Sequence, residues 1–344
     1  FLADNDVGLE LGADAAVTAF DNNLSGNATF AVDNNGSAVI DASGNWWGSA
    51  VEATVAASID GPANVDFTPY LDSAADADAG TPGFQGDFST LHVTDEGGQS
   101  GPLGRIQEAI DLVTASEVIV EAGTYHEDVD ADVADLILRG ATGSAGDVTI
   151  QPGEVNTPGI TVAADNVQIS DLTVSGFTNA AGIAADGYTT LTLDNLVLDS
   201  NDVGFDVDNL TTLNLADLSL SSNTTSGGEI NAVTTVNLDT TAADTADTLD
   251  VNNPLYGGAG TLRHDRNGAV QDQISFADVD TLDVDVLGAE DVVNVAAHPT
   301  TEIDLDGGDP TGGTPGDTVT YLSDGVNPFL FGSSVITTAS HADI

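Results

Sequence analysis

Val167-Gln168-Ile169-Ser170-Asp171-Leu172-Thr173-Val174, Leu191-Thr192-Leu193-Asp194-Asn195-Leu196-Val197-Leu198 and Leu213-Asn214-Leu215-Ala216-Asp217-Leu218-Ser219-Leu220 share one pattern. Val236 and Leu238 begin a fourth copy, so the first apolar position recurs at intervals of 24, 22 and 23 residues. Within each pair the apolar residues are two apart, which puts both on one face of a short strand. Ile183, Phe205 and Ile230 add a third anchor per unit. Between the anchors lie Asp, Asn, Ser and Gly, which favour turns. A unit of this length with short alternating strands matches one coil of a parallel β-solenoid. A single coil buries almost nothing, but coils stacked roughly 4.8 Å apart align their inward side chains into one apolar column. Leucine-rich repeats have a similar period, but their fixed Leu-x-x-Leu-x-Leu…Asn frame is not sustained.

Composition narrows the function classes. The 344 residues include no Cys, no Met and no Lys; Arg105, Arg139, Arg263 and Arg266 face 56 acidic groups, for a formal charge of −52. Duplex nucleic acid and anionic lipid need basic clusters and are excluded as partners. Disulfides and thiolate metal sites are excluded as well. No apolar run reaches the roughly 20 residues of a membrane helix, so no membrane span is expected. An apolar fraction of 41% is too high for simple disorder. Starting at Phe1 without Met or a signal-like segment, the chain reads as one with its signal removed, or as an excerpt.

Working outward, Asn5-Asp6-Val7-Gly8-Leu9-Glu10-Leu11 matches Asn201-Asp202-Val203-Gly204-Phe205-Asp206-Val207, and further strands are expected near 28–32 and 38–40. The matching frame begins in mid-coil, which exposes a sheet edge and favours end-to-end docking. Residues 41–48 hold both tryptophans, Trp46 and Trp47, and a second aromatic cluster lies at 65–71. The Ala/Asp/Gly/Pro-rich stretch that follows reads as a linker. Ile106, Ala109, Ile110 and Val113 predict a helix near 103–114, placed to cover the first open coil of a second stack. The expected organisation is therefore 1–71, the end of a first β-helical stretch with a Trp-rich closing segment; 72–88, a linker; 89–251, a second β-helix; and 252–344, an Asp/Gly-rich β module.

Ile106-Gln107-Glu108-Ala109-Ile110, then Val118-Ile119-Val120-Glu121-Ala122-Gly123-Thr124-Tyr125-His126-Glu127, then Leu136-Ile137-Leu138-Arg139-Gly140 resemble the opening turns of right-handed parallel β-helices of the pectin-lyase-like superfamily. Asn45-Trp46-Trp47-Gly48 and Pro69-Tyr70-Leu71 resemble the closing segment of β-helical domains in large bacterial surface proteins. The resemblance spans about 1–71 and 89–251. It implies an all-β, right-handed parallel β-helix, and it is compatible with lyases, hydrolases, esterases, adhesins and inert stalks alike.

Calcium is the sharpest chemical expectation. Asp304, Asp306, Asp309 and Asp317 surround Gly312-Gly313-Thr314-Pro315-Gly316, and carboxylates alternating with Gly can wrap a hard cation. The stretch partly resembles the Gly-Gly-x-Gly-x-Asp calcium nonapeptide, but Pro310 and Pro315 interrupt it and no second copy follows in register. The competing reading is that these Asp residues end strands and solvate turns. Lyases of the resembled superfamily use a base, commonly Arg, beside Ca²⁺. Arg139, Arg263 and Arg266 are the residues to examine, with charge pairing to neighbouring Asp, as for Arg266 beside Asp265, the plainer explanation. The five His residues lack metal-ligand spacing. Trp46 and Trp47 suit either a core plug or a sugar-stacking platform.

With almost no internal cations, the charge must be screened or bridged from solution. These readings converge on a non-enzymatic extracellular or cell-surface scaffold: a stalk, adhesin segment or filament subunit. It would assemble with itself through end-to-end β-stacking or β-edge addition. The alternatives are a lyase-like carbohydrate-active enzyme and a glycan-binding module, both with polysaccharide as the partner.

Overall fold

A computed structural model describes residues 2–12, 17–114, 117–239, 247–251, 260–266, 269–285, 291–296, 298, 300–306 and 318–321. The protein is a β-solenoid of about 11 turns. It is 6% helical and 46% strand.

The repeat read from the sequence is the coil. Val167–Ser175 pairs in parallel with Thr190–Asp199, which pairs with Thr212–Ala216, which pairs with Thr235–Asp239. The register joins Val167, Leu191, Leu213 and Val236 into one inward column and Ile169, Leu193, Leu215 and Leu238 into the next. All eight are buried. A second wall runs through Val129–Ala131, Ile160–Val162, Ala181–Asp186, Val203–Asp208 and Ser226–Asn231, again in parallel. The predicted anchors Ile183 and Phe205 share one column, which continues at Gly228, whereas Ile230 belongs to the next column with Ala185 and Val207; all three anchors are buried. Gly123–His126, Val148–Gln151 and the second halves of Val167–Ser175 and Thr190–Asp199 form a third wall, completed by Ser219–Ser221.

Polar residues between the apolar pairs make the corners. Asp171, Asn195 and Asp217 have φ of 60°, 47° and 49°, the left-handed region that Asp and Asn tolerate better than most residues. Another corner stacks Gly182, Gly204 and Gly227. A Cβ on Gly204 would lie 2.2 Å from the Gly227 carbonyl oxygen, so the column accepts only hydrogen there.

Buried amides tie the corners together. Asn201 Oδ1 accepts from Phe177 N–H, and its Nδ2 donates to the Val174 carbonyl. Asn201 N–H in turn donates to Asn223 Oδ1, and Asn223 Nδ2 to the Leu198 carbonyl. The matching segment near the start repeats this chemistry: Asn5 N–H donates to Asn27 Oδ1, and Asn27 Nδ2 to the Leu24 carbonyl. The parallel extends to Thr29 Oγ1 on Asp6 and Thr225 Oγ1 on Asp202, both 2.7 Å. Likeness between 5–11 and 201–207 is thus likeness of coil position.

The first stack is smaller. Val7–Leu11, Phe30–Asn34 and Ile59–Asp60 pair in parallel, as do Ile40–Asp41 and Val65–Asp66. They enclose a separate core that includes Leu24, Val32, Ile40, Trp47, Val65, Phe67 and Tyr70. The short helix Glu52–Ala57 buries Val55 in that core.

Connecting residues 72–88 are packed against the first stack. Asp76 bridges to Gly86, Gly86 N–H donates to Asp21, Phe84 is buried and Phe88 stacks on Phe20. The chain then returns so that Thr90–Val93 lies antiparallel to Tyr70–Leu71 and parallel to Glu117–Val120. The two stacks therefore meet in one sheet through the two-residue strand Tyr70–Leu71, while the other described strands of the first stack form separate sheets of three and two strands. The predicted helix forms as Arg105–Leu112, with Ile106, Ala109 and Ile110 fully buried against the first coils of the second stack.

No break in the sheets coincides with the composition change at 252. Thr281–Asp285 continues the first wall onto Glu302–Asp306, and Ile274–Ala277 continues the second. The antiparallel hairpin of Asp247–Val251 and Thr261–Arg266 is inserted into the second wall, between Ile274–Ala277 and Val292–Val295. Among the described residues, the first wall has no matching pair of strands.

Candidate functional site: the junction of the two stacks

Polar chemistry concentrates where the helix Arg105–Leu112 meets the first stack. Arg105 is 8% exposed. Its guanidinium donates to the carbonyls of Glu96, Gly97 and Gly98 at 3.0–3.2 Å and lies 3.9 Å from Asp66 Oδ1. Asp66 is fully enclosed. Its Oδ2 accepts from Ser100 N–H, while its Oδ1 receives no hydrogen bond. Burial pushes the Asp66 carboxyl above the usual carboxylate range, and Ser100 and Arg105 offset this only in part.

Glu108 stands one helical turn beyond Arg105 on the same face. Burial first, then the Asp66 charge and that of Asp41, push its carboxyl up to about 7; a hydrogen bond with Ser43 and the Arg105 charge pull the other way. Beneath the helix start, Glu127 accepts from the N–H groups of Ile106 and Gln107 at 3.1 and 3.0 Å. From the connection between Gly123–His126 and Val129–Ala131 it supplies the cap that Gly104 cannot, at the end of the helix that favours negative charge. Burial still raises its pKa.

The shared sheet carries a second cluster. His92 Nδ1 lies 2.9 Å from Glu121 Oε1 and Nε2 lies 3.0 Å from Asp72 Oδ1, with the ring stacked on Tyr70. Burial opposes charge on His92, but the two carboxylates outweigh it and raise its pKa. Next to it, Thr94 Oγ1 donates to Glu52, whose carboxyl is raised by burial and by nearby Glu121, Glu96 and Asp95.

Elsewhere several outward acids are satisfied from the next coil. Asn195 donates to Asp171, Asn209 to Asp186 and Asn231 to Asp208, each at 2.7 Å. These bonds let an Asp-rich chain stack without lysine. Like charge nonetheless accumulates: burial and then Asp217, Asp171 and Asp239 raise Asp194, and burial and then Asp208, Glu229 and Asp186 raise Asp206.

Two of the four residues expected to bind calcium lie on a described strand. Asp304 is exposed on Glu302–Asp306, in register with Asp283. Asp306 shares that strand, while Asp309 and Asp317 lie outside the described residues. Among the described residues, no group of three or more His, Asp or Glu is arranged to hold a metal ion. Arg139 Nε pairs with Glu117 at 2.7 Å and Arg263 chelates Asp265. The Arg266 side chain lies outside the described residues.

Trp47 is buried in the first core against Phe67, whereas Trp46 packs against the second. Adjacent tryptophans thus divide between the two cores. A void among the later coils is lined by apolar side chains, including Leu215, Leu238, Leu262 and Phe276.

Sequence reading missed Asp66, Glu108, Glu127 and His92 as a group. The available signal was an Arg–Glu pair one turn apart at the head of an apolar-faced helix, in a chain with four cations.

Comparisons with protein-family models, curated proteins and solved structures return no match. The fold is a parallel β-solenoid, and the likeness to the pectin-lyase-like superfamily and to bacterial surface proteins has no further support. Among the described residues, no helix is long and apolar enough to cross a membrane.

Proposed function

We propose that this chain is a structural scaffold: a stalk, adhesin segment or filament subunit working outside the cell, with solution cations screening or bridging its acidic faces. The carrying observation is the continuity of strand pairing. Backbone pairing runs from Tyr70–Leu71 to Glu302–Asp306, and the first stack adjoins this sheet through Tyr70–Leu71, where Leu71 N–H donates to the Asn45 carbonyl. About 11 turns at roughly 4.8 Å each correspond to a rod on the order of 50 Å. Such a body resists bending because every coil is held by main-chain bonds and by the apolar column beneath them. Its Asp rows, satisfied sideways by Asn, Ser and Thr, keep outward oxygens free for hydrated cations.

Electron microscopy of the purified chain, with calcium and with chelator, tests the scaffold. Rods that join end to end in calcium and separate in chelator support both assembly and cation bridging. Monodisperse particles in both conditions count against assembly. Turnover of a uronate polymer, followed by absorbance of the unsaturated product and abolished by replacing one arginine, would overturn the structural reading.

A further inference from the structure

We propose that His92 is a proton-operated strap between the two stacks. As the imidazolium it ties Asp72, on the first-stack side, to Glu121 on the second; once neutral it releases one of them. The argument is a count of hydrogens. Nδ1 lies 2.9 Å from Glu121 Oε1 and Nε2 lies 3.0 Å from Asp72 Oδ1, both within hydrogen-bond range. A neutral imidazole has one N–H and one lone pair, so it serves one of these acceptors and turns a lone pair to the other. Only the doubly protonated ring donates to both.

Its place in the fold gives the strap leverage. Strand pairing between Tyr70–Leu71 and Thr90–Val93 is two residues long, Tyr70 with His92 and Leu71 with Leu91. Asp72 directly follows the first of these strands, and Glu121 directly follows Glu117–Val120 of the second stack. The ring is 7% exposed and stacked on Tyr70, so little water reaches it to replace a lost partner. Other ties across the seam need no proton on a ring: Thr94 N–H donates to the Thr68 hydroxyl, and Thr94 Oγ1 to Glu52.

The charges around the ring favour the cation. Asp72 faces it from one side and Glu121 from the other, and Glu52 lies close to Glu121, Glu96 and Asp95. Glu117 on the adjoining strand is engaged by Arg139. The helix Arg105–Leu112, packed on the same strand, brings Arg105, Glu108 and Asp111; Arg105 is taken up by three carbonyls and by Asp66. Burial opposes charge on His92, but the bonds to Glu121 and Asp72 outweigh it and raise its pKa. A histidine raised on folding contributes fully below its unfolded value, and that contribution is lost as pH climbs through the raised one. The seam is therefore tight in mild acid and slackens in base.

Hydrogen exchange of the full chain at about pH 6 and pH 9, corrected for intrinsic rates, tests this. Amides of 70–72 and 90–94 should exchange on the order of tenfold faster at the higher pH, while those of 190–216 hold constant. His92→Gln carries its donors on one atom and cannot span both carboxylates, so its seam should exchange at a rate independent of pH. Equal corrected protection in the native chain, or an undiminished pH response in H92Q, would overturn the proposal. Nitrogen-15 titration of the native chain needs no variant. Two protonated ring nitrogens on His92, with a midpoint above the ordinary 6.5, support the strap; a midpoint below 6.5 defeats it.

Discussion

In the central coils a buried amide meets partners from neighbouring coils, as Asn201 does with Phe177, Val174 and Asn223. At the junction, carboxyl groups from both stacks share one guanidinium, and an Asp66 oxygen stays unbonded. The central coils bury neutral groups that donate and accept, and keep their raised carboxyls, Asp194 and Asp206, nearer the surface. The junction encloses acids outright, so its stability depends more on proton occupancy. A single molecule thus combines a shaft whose buried polar groups are neutral with a joint whose buried polar groups are acids.

The largest expected way to break this contrast is Arg105→Met. Removing the one cation leaves Asp66 enclosed without compensation, and a buried charge stripped of its partner costs about 3–5 kcal/mol. The loss should appear in urea unfolding as early opening of the first stack. Leu193→Ala attacks the shaft instead. It leaves a cavity in a fully buried column, at about 2–5 kcal/mol, with no change in pH dependence. Asn201→Ala strips partners from Phe177 N–H and the Val174 carbonyl and should cost about 2 kcal/mol, read from the same unfolding curves.

His92→Gln sharpens the comparison. His92 is raised by its two carboxylates, so its contribution is full below the ordinary histidine value and fades as pH passes through the raised one. Thermal melting between pH 5 and 9 should show a flatter profile in the variant; an unchanged slope would remove His92 from the joint. Asn209→Ala, at an exposed corner with φ of 58° and one side-chain bond to Asp186, should cost about 1 kcal/mol in the same unfolding curves, mostly from forcing Ala into the left-handed region.

Much of the shaft was legible beforehand. Leu191, Leu193, Leu196 and Leu198 declare their inward face by spacing, and recurrence of that spacing declares the coil. The likeness of 5–11 to 201–207 carried over even to the hydrogen bonds of Asn5 and Thr29. The helix was legible too, ending within two residues of the expected bounds. Strand pairing continues across the composition change at 252, so composition by itself does not mark where the sheets run. The joint was not legible: His92 looks like an isolated histidine until Asp72 and Glu121 are brought against it.

What the sequence determined alone is the period, the inward columns, the corners and the excess of negative charge. Each is a property of neighbours in the chain or of repeats at fixed intervals, where side-chain alternation and turn preference are read directly. Only the tertiary structure decided that Thr90–Val93 returns antiparallel to Tyr70–Leu71, and so which acids are enclosed together. A carboxylate's burial depends on residues distant in sequence that close over it, and no local pattern records that enclosure.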